Sequence, residues 1–318
     1  MYNLLDGREA SKTRKELLKK LIESKEHKPS LVVITVGDDE ASKVYVRGKE
    51  KDCAEVGIYF KQFAFDETVT TSTLCEVING LNRDDDVDGV IVQLPIPEHL
   101  DKGKILKSIA PEKDVDGFNS DMFTPCTPKG VMMLLKHYGI DVSGMNAVVV
   151  GRSEIVGKPM AKLLLNNNAT VTVCHSKTKD LKQYTQNADL IVCAVGNRNT
   201  ITADMVKDGV IIVDVGINRN EEGKLCGDVD FDCVKDKCSY ISPVPNGVGL
   251  MTRVALLENT YLASKLKWNI WVVKKTVTST CNREVMGSNP ILTGITPLDS
   301  SVGRALMLLF SLILPMDK

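Results

Sequence analysis

Apolar residues occur along this chain in short runs rich in valine and isoleucine, separated by longer stretches in which polar and apolar residues mix. In the first part of the chain these runs cover 31–36, 58–65 and 89–94, and helical patterns are predicted between them over 42–57 and 73–81. Apolar runs without polar alternation, joined by helices, are typical of a parallel sheet that is covered on both faces.

A second series of alternating elements follows the proline-containing segment 125–128, where we place a domain boundary. Thr127 is predicted to cap a helix that has Pro128 in its first position. Further strands are predicted over 147–150, 170–174, 190–195 and 210–215, and further helices over 11–28, 155–165 and 251–266. The chain is therefore expected to be an α/β protein.

Composition and charge exclude several classes of protein. The chain has 318 residues, and its 40 basic residues nearly balance its 41 acidic ones, which argues against a nucleic-acid-binding surface over the whole protein. The longest apolar run, 305–315, is shorter than the roughly 20 residues of a membrane-spanning helix. We therefore expect neither nucleic acid nor a membrane as a partner.

Cysteine and histidine positions indicate neither a disulfide framework nor a metal site. The nine cysteines include no Cys-x-x-Cys pair, and the four histidines are not grouped. The first residues lack a signal sequence, and the helix predicted over 11–28 contains acidic residues that a mitochondrial transit peptide avoids. These features predict a cytoplasmic protein with reduced thiols.

The segment 148–159 has the pattern of strand, glycine-containing turn and helix that binds dinucleotides. Gly151 at the strand end would allow close approach of a pyrophosphate, and Gly157 follows six residues later. This spacing is weaker evidence than a full Gly-x-Gly-x-x-Gly, so an ordinary tight turn is the alternative. Because the next strand ends at Ser176-Lys177 without a carboxylate and Arg152 follows the first glycine, the pattern favours NADP over NAD.

Four polar residues in the first part of the chain are candidates for chemistry. Tyr45 and Lys49 lie four residues apart, on one face of a predicted helix. Gln93 stands at the end of a predicted parallel strand, where open α/β sheets bind ligands, and Asp116 follows further along the chain. Each has an ordinary alternative when it is taken singly: a solvated lysine, a polar residue at the sheet rim, or a turn aspartate.

Together these segments resemble one family. The motifs that carry the resemblance are Tyr45-Val-x-x-Lys49, Val92-Gln93-Leu94-Pro95, Asp114-Val-Asp116-Gly-Phe, Pro125-Cys-Thr-Pro, Val150-Gly151-Arg-Ser-x-Ile-Val-Gly157, Asp214-Val-Gly-Ile217-Asn and Pro243-Val-Pro245-x-Gly247-Val248-Gly249-x-Met-Thr252. In this order, over about residues 2–267, they closely resemble the bifunctional methylenetetrahydrofolate dehydrogenase/cyclohydrolase family.

The resemblance implies two α/β domains flanking a cleft, the second a Rossmann-type NADP-binding domain. We expect a folate-binding catalytic domain over 1–126, completed by helix 251–267, and an NADP-binding domain over 127–250. The implied reactions are oxidation of 5,10-methylenetetrahydrofolate by NADP+ and hydrolysis of the methenyl product to 10-formyltetrahydrofolate. Tetrahydrofolate derivatives are the expected partners, with a homodimer formed through the cofactor domain.

The resemblance also implies roles for single residues. Lys49 is expected to activate water, Gln93 to position that amine, and Asp116 to accept hydrogen bonds from the pterin. Tyr45 completes the expected catalytic set by stacking on the folate. The expected substrate-binding residues are Tyr45, Lys49, Val92, Gln93, Leu94, Asp116, Pro245, Gly247, Val248 and Gly249. NADP is expected on Gly151, Arg152, Ser153, Ser176 and Ile217, and no metal is expected.

Three segments depart from the family pattern. The family usually has several more residues around 119–123, so either a pocket wall is missing or the gene model has lost an exon edge. In the late loop, Asn246 and Leu250 replace a glycine and a proline. The segment 268–318 matches nothing in the family, and we expect a poorly ordered tail. A membrane-touching end, an extra helix or translated non-coding sequence are the alternatives for this tail.

Three functional hypotheses follow from these features. The retained Lys49, Gln93 and Asp116 favour a bifunctional enzyme. A dehydrogenase without cyclohydrolase activity is the alternative if the shortened loop disables water attack. A non-catalytic folate- or NADP-binding module is the third.

Overall fold

The computed structural model describes residues 2–119 and 121–284, and the chain divides into two compact units after Asn269. The first unit holds all three sheets of the described residues, two of them parallel and one a two-stranded antiparallel pair, and the residues that line the cavities near the expected site. The expected tail, 268–318, is helical in its backbone up to Glu284 and lies outside the described residues from 285 onward.

Strands and helices alternate along the first unit, which confirms the α/β class. The strands are β1 (Asn3–Leu4), β2 (Ser30–Val36), β3 (Tyr59–Phe65), β4 (Gly89–Val92), β5 (Asn146–Val150), β6 (Thr170–Cys174), β7 (Leu190–Cys193), β8 (Val210–Asp214), β9 (Asn218–Arg219), β10 (Leu225–Cys226) and β11 (Cys238–Ile241). The helices are α1 (Gly7–Glu23), α2 (Glu40–Val56), α3 (Thr71–Arg83), α4 (Lys102–Lys107), α5 (Cys126–His137), α6 (Gly157–Asn166), α7 (Lys182–Thr185), α8 (Phe231–Val234) and α9 (Val248–Glu284).

Two parallel sheets organise the first unit. In the smaller sheet β2 lies between β3 and β4, and the larger sheet has the order β1-β11-β8-β7-β5-β6. The chain order reverses beside β5, which pairs with both β6 and β7, so the carboxyl end of β5 lies at the switch point where doubly wound sheets bind ligands. The N-terminal β1 joins the larger sheet by pairing Asn3 with Tyr240, a contact that the sequence pattern did not predict.

One apolar core is shared by the two sheets. Successive side chains of a strand point to opposite faces, so Leu31 and Val33 of β2 enter the shared core, whereas Val32 and Ile34 pack in a separate core with α3 and α4. Side chains of β5, α1, α2, α5 and α9 belong to the shared core. The common packing fixes the relation between the carboxyl ends of the two sheets.

Two helices that reach the site begin earlier than predicted. α2 begins at Glu40, rather than near Ser42, because the Asp39 carboxylate accepts the N–H of Ser42 at 2.7 Å. α9 begins at Val248, three residues before the predicted start at 251. In both cases the N-terminal end of the observed helix reaches further toward the carboxyl ends of the strands than predicted.

The prediction that Thr127 caps α5 is wrong. The helix begins at Cys126, its capping position is Pro125, and no side chain caps it by a hydrogen bond. The Cys126 N–H instead donates to the carbonyl of Asp116 at 3.2 Å, so the chain turns into the helix as soon as it returns from the preceding loop. Pro128 therefore lies in the first turn but not at its first position.

Candidate active site

The carboxyl ends of the two sheets border a cavity of about 400 Å³. The expected site residues that line it are Tyr45, Lys49, Val92, Gln93, Leu94, Asp116, Ile217, Val248 and Gly249. A cavity of about 140 Å³ shares Tyr45 and Ile217 with the first and is also lined by Pro245 and Gly247. All the residues expected to bind substrate therefore line these two cavities, which share several lining residues, although they are far apart in sequence.

Lys49 and Gln93 form a hydrogen-bonded pair in the larger cavity. Lys49 Nζ donates to Gln93 Oε1 at 2.9 Å, and Gln93 Nε2 donates to the carbonyl of Leu94 at 2.7 Å. The second bond fixes the amide so that its oxygen faces the amine. Burial lowers the pKa of Lys49, and the charge of Asp116 only partly opposes this effect. The amine is thus closer to the neutral form that accepts a proton.

Asp116 supplies a buried carboxylate to this cavity. Burial raises its pKa, although the charge of Lys49 and a hydrogen bond from Cys126 act in the opposite direction. Burial also raises the pKa of the Cys126 thiol well above its usual range. The thiol is therefore a donor, and its Sγ lies 3.2 Å from the carbonyl oxygen of Val115.

The shortened loop that follows is closed by close backbone contacts. Gly117 has a φ of +76°, and a Cβ at this position would lie 2.7 Å from the carbonyl oxygen of Phe123. Asp114 Oδ2 accepts the N–H of Asn119 at 2.6 Å, and burial raises the pKa of Asp114 to about 6. The Phe123 side chain is buried, and Phe118 lines the cavity. A few residues therefore suffice to form a wall here.

Arg253 lines both cavities, and the sequence pattern did not indicate it. Its Nε lies 2.8 Å from Asp52 Oδ2, and Lys15 Nζ lies 3.1 Å from the other carboxylate oxygen of Asp52. A Cβ at Gly48 would clash with the guanidinium, so the glycine makes room for it. A glycine inside a helix costs stability, and Gly48 within α2 was therefore a signal that another group approaches there.

The loop before α9 contains one residue in a left-handed backbone conformation, and that residue is an asparagine. Asn246 has a φ of +78°, which confirms that asparagine occupies a left-handed position where the family pattern has glycine. Its carbonyl accepts the N–H of Gly7 at 2.8 Å, so the start of α1 packs directly against this loop. The loop is thereby anchored beside the cavity at the end of β11.

The turn between β5 and α6, which contains Gly151 and Ser153 and is called the cofactor turn below, is formed mainly by backbone atoms. Gly151 has a φ of +123°, and a Cβ there would clash with the carbonyl of Ala194 at the end of β7. α6 begins at Gly157, rather than at the predicted 155, because the Ser153 hydroxyl accepts the N–H groups of Val156 at 3.2 Å and Gly157 at 3.3 Å. Ser153 therefore caps the turn that leads into α6.

The remaining expected cofactor residues surround this turn. Cys174 pairs with Val150 at the ends of β6 and β5, so Ser176 follows a strand that is adjacent to Gly151. The Arg152 and Ser176 side chains are exposed, and no carboxylate stands directly after β6. Ile217 is 51% exposed and lines both cavities. An exposed cation and a hydroxyl at this edge suit a phosphate group.

Two buried carboxylates, Asp214 and Asp228, organise the loops next to Ile217. Asp214 accepts three backbone N–H groups at 2.9, 3.0 and 2.9 Å. Asp228 Oδ2 accepts the N–H groups of Val195 at 2.7 Å and Gly196 at 3.1 Å. Burial raises the pKa of Asp214 to about 6. Sequence reasoning missed Asp228, although a second acid following a glycine after the Asp214 motif was a signal for it.

Two further features, a metal-binding cluster and a membrane-spanning helix, are absent from the described ranges. Among residues 2–119 and 121–284, no group of three or more His, Cys, Asp or Glu side chains is placed to hold a metal ion. Within the same part of the chain, no helix combines the length and the apolar character needed to cross a membrane.

Two family models match most of the chain. The catalytic domain of tetrahydrofolate dehydrogenase/cyclohydrolase matches residues 5–116, and the NAD(P)-binding domain of the same family matches residues 125–268. Together the matches cover the residues that border the two cavities except Phe118, and they leave residues 1–4, the short segment 117–124 and the C-terminal residues 269–318 unmatched.

Single proteins give the same result. The chain is 54% identical over 279 residues to the bifunctional protein FolD of Campylobacter concisus, a match that covers 83% of this chain and 98% of the relative. The crystal structure of the bifunctional dehydrogenase/cyclohydrolase from Campylobacter jejuni superimposes with a TM-score of 0.81 at 51% identity, covering 84% of this chain and 100% of the other. An enzyme from Trypanosoma brucei, solved with NADP and an inhibitor, gives a TM-score of 0.78 at 34% identity, covering 83% and 97%.

Proposed function

Because this chain belongs to the tetrahydrofolate dehydrogenase/cyclohydrolase family, we propose that it catalyses two successive reactions of one-carbon metabolism. The first oxidises 5,10-methylenetetrahydrofolate to 5,10-methenyltetrahydrofolate, and the second hydrolyses that product to 10-formyltetrahydrofolate. The observation that carries the proposal is the bond of 2.9 Å between Lys49 Nζ and Gln93 Oε1 in a cavity that Ile217 also lines. Lys49, the proposed proton acceptor, and Ile217, a residue proposed to contact NADP, therefore line the same cavity.

In the oxidation, this chain's residues hold the folate against the cofactor. NADP+, when bound, accepts a hydride from the methylene carbon and leaves the methenyl cation. Asp116 accepts hydrogen bonds from the N–H groups of the pterin, and Tyr45 stacks on the folate rings. The apolar side chains of Val248 and Ile217 line the cavity beside the reacting carbons. Positioning of this kind accounts for most of what the protein contributes to a hydride transfer.

In the hydrolysis, water adds to the methenyl carbon, the bond from that carbon to N5 breaks, and one proton is released. Lys49 in its neutral form accepts that proton, and Gln93 holds the amine in place. Burial lowers the pKa of Lys49, which makes the neutral form accessible, and the adjacent cationic intermediate lowers the pKa further. Val92, Leu94, Pro245, Gly247 and Gly249 complete the proposed folate surface.

We assign NADP to Gly151, Arg152, Ser153, Ser176 and Ile217. The support is the close approach at Gly151, where a Cβ would meet the carbonyl of Ala194, and the exposed cation and hydroxyl at the edge of the turn. Arg152 and Ser176 would hold the 2′-phosphate, which distinguishes NADP from NAD.

The same proposal extends to domains, assembly and location. It assigns the folate domain to 1–126, completed by 251–267, and the NADP domain to 127–250. A homodimer through the NADP domain is supported by β6, an edge strand of the larger sheet whose Val173 is 39% exposed. A cytoplasmic location agrees with the free thiols of the described cysteines, and 10-formyltetrahydrofolate would serve purine biosynthesis.

The test is a coupled assay on the purified full-length chain. Incubation with 5,10-methylenetetrahydrofolate and NADP+ is expected to form NADPH, then methenyltetrahydrofolate, then 10-formyltetrahydrofolate, and NAD+ is expected to be the poorer acceptor. If neither NADP+ nor NAD+ is reduced, the proposed function is wrong.

A dehydrogenase without cyclohydrolase activity is the second candidate, and it is motivated by the shortened segment 119–123 beside the larger cavity. In this case the same assay would accumulate the methenyl compound. Its decay would then proceed at the rate measured without protein.

A further inference from the structure

Asn259 is a buried polar residue of α9 that lines neither active-site cavity. Only 1% of its surface is exposed. Its amide nitrogen Nδ2 donates to two backbone carbonyls, that of Val115 at 2.9 Å and that of Thr124 at 3.0 Å. These carbonyls stand on either side of the shortened loop, so one side chain joins the two ends of that loop.

The orientation of this amide is set by Lys129. Lys129 Nζ donates to Asn259 Oδ1 at 2.8 Å and lies 3.3 Å from Glu258 Oε2. Because the ammonium group can only donate, it identifies the oxygen side of the amide and leaves the two N–H groups directed at the loop. A buried amide that donates to two backbone carbonyls restricts the motion of the segments that carry them. Its removal takes this donor from the Thr124 carbonyl and leaves the Val115 carbonyl with the Cys126 thiol.

The Val115 carbonyl belongs to the peptide group that leads directly into Asp116. It accepts from both Asn259 Nδ2 and the Cys126 thiol, and the carbonyl of Asp116 accepts the Cys126 N–H at 3.2 Å. The backbone on both sides of the Asp116 Cα is thus fixed by hydrogen bonds. The carboxylate has little freedom to move away from the folate side of the cavity.

We propose that Asn259 is a positioning residue for folate binding, which acts by clamping the two ends of the shortened loop so that Asp116 faces the pterin. The inference rests on the proposed function, because it assumes that Asp116 binds folate. It assigns to Asn259 no contact with substrate or cofactor.

Two substitutions at this position separate packing from hydrogen bonding. Asn259→Leu has a similar volume and no polar atoms, and Asn259→Asp keeps the acceptor for Lys129 but loses both donors. Each is expected to raise the KM for 5,10-methylenetetrahydrofolate about tenfold or more, since two hydrogen bonds to buried carbonyls are lost. The KM for NADP+ is expected to stay within about twofold, because the cofactor turn is not touched.

The matched control is Thr260→Val, on the next residue of the same helix. Thr260 is fully buried, and its hydroxyl donates to the carbonyl of Leu256 within α9 at 2.9 Å. This variant also removes a buried polar group, but the group does not touch the loop. Its folate KM is expected to equal that of the wild type, even if its melting temperature falls as far as that of Asn259→Leu.

A double-mutant cycle tests whether Asn259 acts through Asp116. The dissociation constant of 5-formyltetrahydrofolate, a stable folate, is measured by calorimetry for the wild type, Asn259→Leu, Asp116→Ala and the double variant. Asn259→Leu is expected to weaken binding about tenfold in the wild-type background and less than about twofold when Asp116 is already absent.

Either of two results overturns the inference: an unchanged folate KM in both Asn259 variants, or equal effects of Asn259→Leu in the two backgrounds. Should Asn259→Leu fail to fold, Lys129→Met decides, because it releases the amide without changing Asn259 and is expected to raise the folate KM but not the NADP+ KM. These results are distinct from failure of the proposed function, in which the wild type itself would not turn over folate.

Discussion

The folate side and the cofactor turn are built from different parts of the polypeptide. On the folate side the important groups are the ends of side chains, and Lys49, Gln93 and Asp116 come from three separate segments. At the cofactor turn the important groups are backbone atoms around Gly151 and Gly157, which tolerate no Cβ. The first region therefore depends on reactive side-chain groups, and the second depends on the path of its backbone.

The contrast has a physical reason. A proton acceptor must be partly buried so that its pKa moves toward neutrality, and burial is what lowers the pKa of Lys49. A pyrophosphate, by comparison, is held by N–H groups that every residue carries, so only the absence of side chains matters. We therefore expect substitutions in the first region to change kcat and those in the second to change the KM of the cofactor.

The largest effect is expected for Lys49→Met, which removes the amine but keeps the length of the side chain. Cyclohydrolase kcat is expected to fall about 10²- to 10⁴-fold, the range typical of a general base, while dehydrogenase activity stays within about tenfold. The assay follows NADPH formation and methenyl decay separately. Lys51→Met, an exposed lysine on the same helix, is the control. Full cyclohydrolase activity in Lys49→Met would contradict the assigned role.

A smaller effect, on cofactor binding alone, is expected for Gly151→Ala. The added methyl group clashes with the carbonyl of Ala194 and forces a side chain into a backbone with a φ of +123°. The KM for NADP+ is expected to rise about 100-fold, because strain of about 1–3 kcal/mol adds to the lost approach of the phosphates. Gly209→Ala, with a φ of +82° and no atom within 4 Å of the added carbon, is the matched control for strain without the clash. A rise in the folate KM but not in the NADP+ KM would refute the distinction between the two regions.

An effect of about tenfold on the NADP+ KM is expected for Arg152→Ala, which removes a cation proposed to bind the 2′-phosphate. The KM for NAD+ is expected to change less than about twofold, since NAD lacks that phosphate. Added salt is expected to reduce the difference between wild type and variant, because the Arg152 side chain is exposed. Lys158→Ala, a nearby exposed cation, serves as the control. Equal changes for NADP+ and NAD+ would show that Arg152 does not read the phosphate.

The smallest effect is expected in the pH profile of Gln93→Glu. A carboxylate beside Lys49 Nζ favours the ammonium form and raises the pKa of Lys49, so less neutral amine is present at any given pH. The rise of cyclohydrolase kcat with pH is therefore expected to move to higher pH, with a loss of a few-fold near neutrality. A cyclohydrolase kcat that falls, rather than rises, as the pH passes through the pKa of Lys49 would indicate that the ammonium form is the active one.

Local patterns predicted the repeating elements and singled out four residues that line the larger cavity, Tyr45, Lys49, Gln93 and Asp116. The strands β2, β4 and β5 could be predicted from their apolar runs, because buried parallel strands contain almost no polar residues. Gly151 and the absence of an acid after β6 indicated the cofactor side. The predictions failed at helix starts, such as that of α5, because a carbonyl distant in sequence, that of Asp116, receives the first N–H group.

Residues that act through long-range contacts could not be found in this way. Arg253 depends on Asp52 and Gly48, and Asn259 depends on carbonyls more than 130 residues earlier in the chain. Both lie on α9, whose sequence alone resembles any amphipathic helix that packs on a core. Their partners become evident only when α9 lies against α2 and α5.

The sequence by itself determined the α/β class, the order in which the apolar strands follow one another along the chain, and which residues carry reactive groups. These features depend on local composition and spacing. Only the tertiary structure decided that the bonded pair of Lys49 and Gln93 is buried enough to lower the pKa of the lysine, that a short loop still forms a cavity wall, and that Asn259 joins the two ends of that loop. Burial and hydrogen-bond geometry arise from packing between distant segments, and such packing sets the pKa of a lysine and the direction of a carboxylate.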